Sequence, residues 1–99
     1  MTPRQLTLTP KAREDLDAIW AYSLQTWGPA RAETNVRLLG KAFDDLARGV
    51  SLGRSADEVR SGYFRHSVGS HVVFYRYPDT HVLEVVRILH QRMDIPRHF

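Results

Sequence analysis

Gly69-Ser-His-Val-Val-Phe-Tyr-Arg-Tyr-Pro-Asp-Thr-His-Val-Leu-Glu-Val-Val-Arg-Ile-Leu-His90 decides the fold. Gly69-Ser70 is a tight-turn signal, His71 to Tyr77 is rich in Val, Phe and Tyr, and Pro78-Asp79-Thr80 is a second turn. His81 to His90 then forms the most apolar strand of the chain. A third strand precedes them, from Val59 to Val68, so the second half reads as an antiparallel meander. Both later strands carry apolar side chains on both faces. Val82, Val86 and Ile88 alternate with Leu83, Val85 and Leu89, and Val72 and Phe74 with Val73, Tyr75 and Tyr77. An antiparallel sheet with one wet face alternates apolar with polar, so both faces of this one require cover.

The first half supplies one cover. Gln5 to Thr9 reads as a short strand with Leu6 and Leu8 on one side. Thr9-Pro10 is a helix start, with Thr9 as the N-cap and Pro10 in the first turn, where its missing N–H costs nothing. Ala12, Leu16, Ile19, Trp20 and Trp27 follow at helical spacing until Gly28-Pro29. A second helix carries Ala32, Val36, Leu39, Phe43 and Leu46 and ends at Gly49. The short link makes the two helices an antiparallel hairpin. Val50 to Glu58 reads as a loop, and Gln91 to Phe99 as a polar, Pro-interrupted tail with room for a helical turn.

The expected architecture is α+β in the order β-α-α-β-β-β, a single domain over residues 1–99. A helical hairpin packs on one face of a small, mainly antiparallel four-stranded sheet, and the first strand joins by a crossover through the helices. Two helices make one layer. The other face is either a docking surface for a partner chain or is covered internally by the 50–58 loop and the tail.

Composition narrows the function. The 99 residues contain no Cys, which excludes disulfides, thiolate chemistry and Cys-based zinc sites. Neither a signal peptide nor a membrane-spanning apolar run is visible, so a soluble cytoplasmic protein without membrane association is expected. The net charge of +3 suits an acidic partner but does not by itself argue for nucleic acid. The 12 Arg against two Lys fit either an interface rich in bidentate contacts or a GC-rich genome. His71, His81 and His90 lack metal-ligand spacing, and no nucleophile elbow or phosphate loop is present, so no metal or cofactor is expected. The one chemically suggestive set is Arg60, Arg65, Arg76, Arg87, His90 and Arg92, on consecutive strands and the turn after them. Arg for phosphate, His as acid and Glu58 or Glu84 as base would suit metal-free RNA cleavage. The same residues equally suit solvated strand positions and salt bridges, including bridges to an acidic partner.

Six segments, in order, carry a resemblance: Ile19-Trp20-Ala21-Tyr22 with Trp27-Gly28; Phe43-Asp44-Asp45-Leu46-Ala47; Gly53-Arg54; Val59-Arg60-Ser61-Gly62-Tyr63-Phe64-Arg65; Gly69 to Arg76; and Val86-Arg87-Ile88-Leu89-His90-Gln91-Arg92-Met93-Asp94. Together they resemble the ParE toxins of the ParE/RelE superfamily of type II toxin–antitoxin systems. One departure is Gly49-Val50-Ser51-Leu52, where the family often has Pro before the Gly-Arg of the loop. The resemblance implies a non-enzymatic toxin that inhibits DNA gyrase and growth, is neutralised by a ParD-like antitoxin in a hetero-oligomer, and meets DNA only through that antitoxin. The alternatives are a RelE-like ribosome-dependent mRNA endoribonuclease using Arg65, Arg87 and His90, or a degenerate toxin that only binds antitoxin and tunes operon repression. On this reading Trp20, Leu24, Leu38, Tyr63, Phe74 and Tyr75 contact the antitoxin, and Arg65, Arg87, His90, Arg92 and Met93 contact the target.

Overall fold

The computed structural model describes residues 2–99. Strand β1 (Gln5–Leu8) leads into helices α1 (Pro10–Trp27) and α2 (Pro29–Arg48). Strands β2 (Arg54–Ser55), β3 (Phe64–Val68), β4 (His71–Asp79) and β5 (Val82–His90) follow, and a 3-10 turn spans Ile95–His98. The sheet runs β1-β5-β4-β3-β2, with β1 parallel to β5 and every other neighbouring pair antiparallel. The expected element order and crossover are present, with two corrections. The sheet has five strands because part of the 50–58 loop pairs as β2, Arg54 opposite Arg65 and Ser55 opposite Phe64. The third long strand begins at Phe64, and Val59 to Tyr63 is a run of turns.

The helix boundaries follow their capping residues. Thr9 Oγ1 accepts the Ala12 N–H at 3.1 Å and Pro10 opens the first turn of α1. Gly49, at φ 75°, ends α2 in the left-handed conformation that favours glycine.

Two clusters fill the two faces of the sheet. On one, Ala12, Ile19, Leu39, Phe43 and Leu46 of the helices meet Val73, Tyr75, Leu83, Val85 and Ile88. On the other, Val72, Phe74, Val86 and Leu89 meet Ala56, with Val59, Tyr63, Ile95 and Phe99 packed against them. The 56–63 turns and the tail therefore cover the second face, and of the two readings open from sequence it is the internal one that the structure supports.

A bulge sets which residue faces where. Phe74 pairs with Arg87 and Tyr75 with Val85, so Val86 is the extra residue in β5. Val85 and Ile88 consequently share the helix side, and Val86 and Leu89 the other. Simple alternation had grouped Val86 with Ile88, and the bulge separates them. Three backbone groups around it are taken up by Thr9 and Asp15. Thr9 N–H donates to the Val85 carbonyl (3.0 Å), Thr9 Oγ1 donates to the Val86 carbonyl (2.9 Å), and Ile88 N–H donates to Asp15 (2.9 Å). The same threonine thus caps α1 and seats the bulge.

Candidate functional site

Each of strands β2 to β5 carries one arginine, Arg54, Arg65, Arg76 and Arg87, and all four lie on the face away from the helices. Arg54, Arg65, Phe74 and Arg87 form a single cross-strand row, because Arg54 pairs with Arg65, Arg65 with Phe74, and Phe74 with Arg87. Arg76 stands two residues further along β4, opposite Glu84. The helix-facing sides of these strands hold no arginine.

The arginines differ in how they are held. Arg87 is locked: its Nε and Nη2 donate to the two Asp15 oxygens at 2.8 and 2.9 Å, and its Nη1 donates to the His98 carbonyl at 2.7 Å. Its side chain is 16% exposed and that of Asp15 14%. The Asp15 hydrogen bonds raise the guanidinium pKa further above its ordinary value. Arg76 is paired with Glu84 at 2.8 Å in a more open setting. Arg65 lies over the Phe74 ring, 5.4 Å from its centroid, with Glu58 at 3.6 Å; its Nε is buried and has no hydrogen-bond partner. Beside this row an open cleft of about 320 Å³ is lined by Lys11, Arg60, Arg76, Arg87, Tyr63, Glu84 and Phe99 among others. A second hollow of about 300 Å³, lined by Leu52, Gly53, Arg54, Arg65, His66 and Ser67, lies at the β2–β3 edge.

His90 is not part of this row. It pairs with His71 across β4–β5, in step with Val73 and Ile88 on the helix side of the sheet. The two rings meet edge to face at 5.5 Å, and His90 Nδ1 accepts the Arg92 N–H at 3.1 Å. Burial, then His90, holds the His71 pKa below its usual value. Arg65, Arg87 and His90, grouped from sequence as a ribonuclease set, therefore do not converge: two arginines flank Phe74 on one face and the histidine belongs to the other. Arg92 and Met93 are exposed in the turn after β5.

Of the residues proposed to meet an antitoxin, Phe74 (0% exposed) and Tyr75 (1%) are corrected, since both are core side chains with no surface to offer. Phe74 is covered by Phe99, 5.0 Å between ring centroids. Tyr75 points into the helix-side core, where burial and the neighbouring Tyr77 push its pKa up to about 12, and its Oη accepts the Gly53 N–H at 2.9 Å. Tyr63 is half-buried against Phe99. Trp20, Leu24 and Leu38 are exposed, and Trp27 extends the patch at the end of α1, with the Arg31 guanidinium 4.9 Å from its ring centroid. Trp20 and Trp27 fit the helical stripe of α1 in sequence, yet they lie at its outer margin and form an apolar crest along the hairpin. Sequence reasoning grouped Arg65, Arg76 and Arg87; what it missed was Arg54, whose place in the row depends on the β2–β3 pairing within a stretch that reads as loop.

Comparison with known proteins places this geometry. Residues 6–95 match the family model described as the ParE toxin of the type II toxin–antitoxin system parDE. The chain is 43% identical over 98 residues to toxin ParE1 of Mycobacterium tuberculosis, covering 99% of each. It is 40% identical over 91 residues to toxin ParE1 of Caulobacter vibrioides, covering 92% of this chain and 93% of that one. Among solved structures, a chain of the chromosomal ParDE toxin–antitoxin system from P. aeruginosa shares the fold with a TM-score of 0.76 at 22% identity, over 88% of this chain and 95% of that one. A chain of the RelBE2 toxin–antitoxin complex from Mycobacterium tuberculosis superposes with a TM-score of 0.66 at 26% identity, over 91% and 93% of the two chains. With its fold, its chain-long match and its relatives in agreement, the chain belongs to the ParE toxin family of type II toxin–antitoxin systems.

Proposed function

We propose that this ParE toxin acts in the cytoplasm by inhibiting DNA gyrase, without catalysis of its own, and is neutralised by a ParD-like antitoxin. The match across residues 6–95 to the parDE toxin family carries the reading. The antitoxin docks along the helical crest of Trp20, Leu24, Trp27 and Leu38, which are among the exposed large apolar side chains of the α1–α2 hairpin. Buried Phe74 and Tyr75 take no part. The target meets the exposed turn holding Arg92 and Met93, beside His90. The separation of His90 from Arg65 and Arg87 supports the non-enzymatic reading over mRNA cleavage.

Purified toxin is expected to inhibit gyrase supercoiling of relaxed plasmid, and its induction to halt growth with DNA-damage signalling. Full supercoiling at excess toxin would sink the gyrase reading. Rapid mRNA cleavage on induction, abolished by His90→Ala, would favour the ribonuclease instead.

A further inference from the structure

Of the six cations on or beside this face, Lys11, Arg54, Arg60, Arg65, Arg76 and Arg87, the fold engages three. Arg87 is consumed by Asp15 and His98, Arg76 is paired with Glu84, and Arg65 lies over Phe74 beside Glu58. Lys11, Arg54 and Arg60 are exposed and have no carboxylate partner among the described residues. Lys11 and Arg60 share the open cleft with Tyr63 and Phe99, whose rings meet edge to face at 5.8 Å. Two unpaired cations beside Arg76 and Arg87, in an open cleft whose lining carboxylate is Glu84, match the repeated charges of a phosphodiester chain. An acidic peptide would meet the same cations, and it is the occupant left if DNA does not bind at low salt. A small anion would require a closed pocket, and this cleft is open.

We propose that the open cleft beside the covered sheet face binds the backbone of DNA directly, with Lys11 and Arg60 as the principal phosphate contacts. The choice of DNA as the polymer rests on the gyrase reading, in which the toxin meets an enzyme that is holding DNA. The cleft thus anchors the toxin on the DNA while the rest of its surface engages the protein target. This departs from the expectation that DNA is met only through the antitoxin.

The test is fluorescence anisotropy of short labelled oligonucleotides, DNA and RNA of the same sequence, titrated with the toxin alone over a range of salt. The toxin is expected to bind DNA at low salt irrespective of sequence. The Lys11→Ala/Arg60→Ala double variant should lower the steepness of log affinity against log salt by roughly 2, one for each phosphate that is no longer neutralised. Arg37→Ala/Lys41→Ala, two exposed cations on α2, should leave that slope unchanged. No DNA binding at low salt, or an unchanged slope in the Lys11/Arg60 variant with its thermal melt intact, overturns the proposal. Preferential binding or cleavage of RNA overturns the choice of DNA. Supercoiling inhibition is read separately: a toxin that binds DNA through these residues yet leaves supercoiling untouched upholds the binding cleft and removes only the gyrase reading.

Discussion

The two faces of the sheet are closed in different ways. On the helix side, two long helices lay regular apolar stripes over Val73, Tyr75, Leu83, Val85 and Ile88. On the other side the cover is irregular: Ala56 and the turns after it, then Ile95 and Phe99 from the tail, with Arg87 fastening the tail through the His98 carbonyl. Regular secondary structure satisfies its own backbone, so the helix side needs only side-chain packing. The irregular cover is pinned by specific polar contacts: Gly62 N–H donates to Asp57 within the turns, and Arg87 of the sheet, itself held by Asp15 of α1, donates to the tail. That is why the most fully engaged arginine of the sheet lies beneath the tail.

If the tail side is a true core, the largest loss should come from emptying it. Phe74→Ala is expected to cost about 3–5 kcal/mol in urea unfolding, as much as a comparable truncation on the helix side. A loss under about 1 kcal/mol would show that the second face is only loosely covered. Asp15→Ala should come next, at about 2–3 kcal/mol, because it strips a mostly buried guanidinium of its carboxylate and Ile88 N–H of its acceptor. Adding Arg87→Met to Asp15→Ala should recover part of that loss, since no unpaired charge then remains; a further loss would contradict the pairing account.

Phe99→Ala should cost about 1–2 kcal/mol, less than a fully buried Phe because the ring is only partly covered. Amide exchange should quicken over residues 56–63 and 95–98 and stay unchanged in α1 and α2, which would show that the two covers open independently. The smallest effect concerns His71. Its pKa is lowered from 6.5 in the folded protein, so the unfolded chain binds the proton first. The contribution of His71 is full above pH 6.5 and is lost as pH falls through the lowered folded value. Tm should therefore decline on acidification below that point, and His71→Gln should flatten the decline; an identical profile in the variant would remove His71 as the cause.

The difference between the faces also explains what the sequence disclosed. Thr9-Pro10, Gly28-Pro29 and Gly49 marked the helices because capping and helix-breaking are local chemistry. Ala32, Leu39, Phe43 and Leu46 were legible as core because a helix repeats its buried face at fixed spacing. The tail side obeys no period. Ala56 is buried inside a stretch that reads as loop, and Val86 changes sides through a bulge visible only in the pairing with Phe74 and Tyr75. Phe74 was therefore assigned to a partner when the tail covers it, and Tyr75, assigned with it, is covered by the helices. The exposure of Leu24 and Leu38 was legible for a simpler reason: they are apolar and lie off the buried stripe of their helices.

The chain closes the tail side itself, and the proposed antitoxin surface is the helical crest. The most direct measurement is calorimetric titration of the cognate antitoxin into wild-type toxin and into Leu24→Ala/Leu38→Ala, with the melting temperature of each toxin recorded alongside. Docking on the crest predicts affinity lower by about 30-fold or more, in the range of interface hot spots, with little change in melting temperature because both side chains are exposed. Unchanged affinity in a folded variant would contradict it and place the antitoxin elsewhere on the toxin.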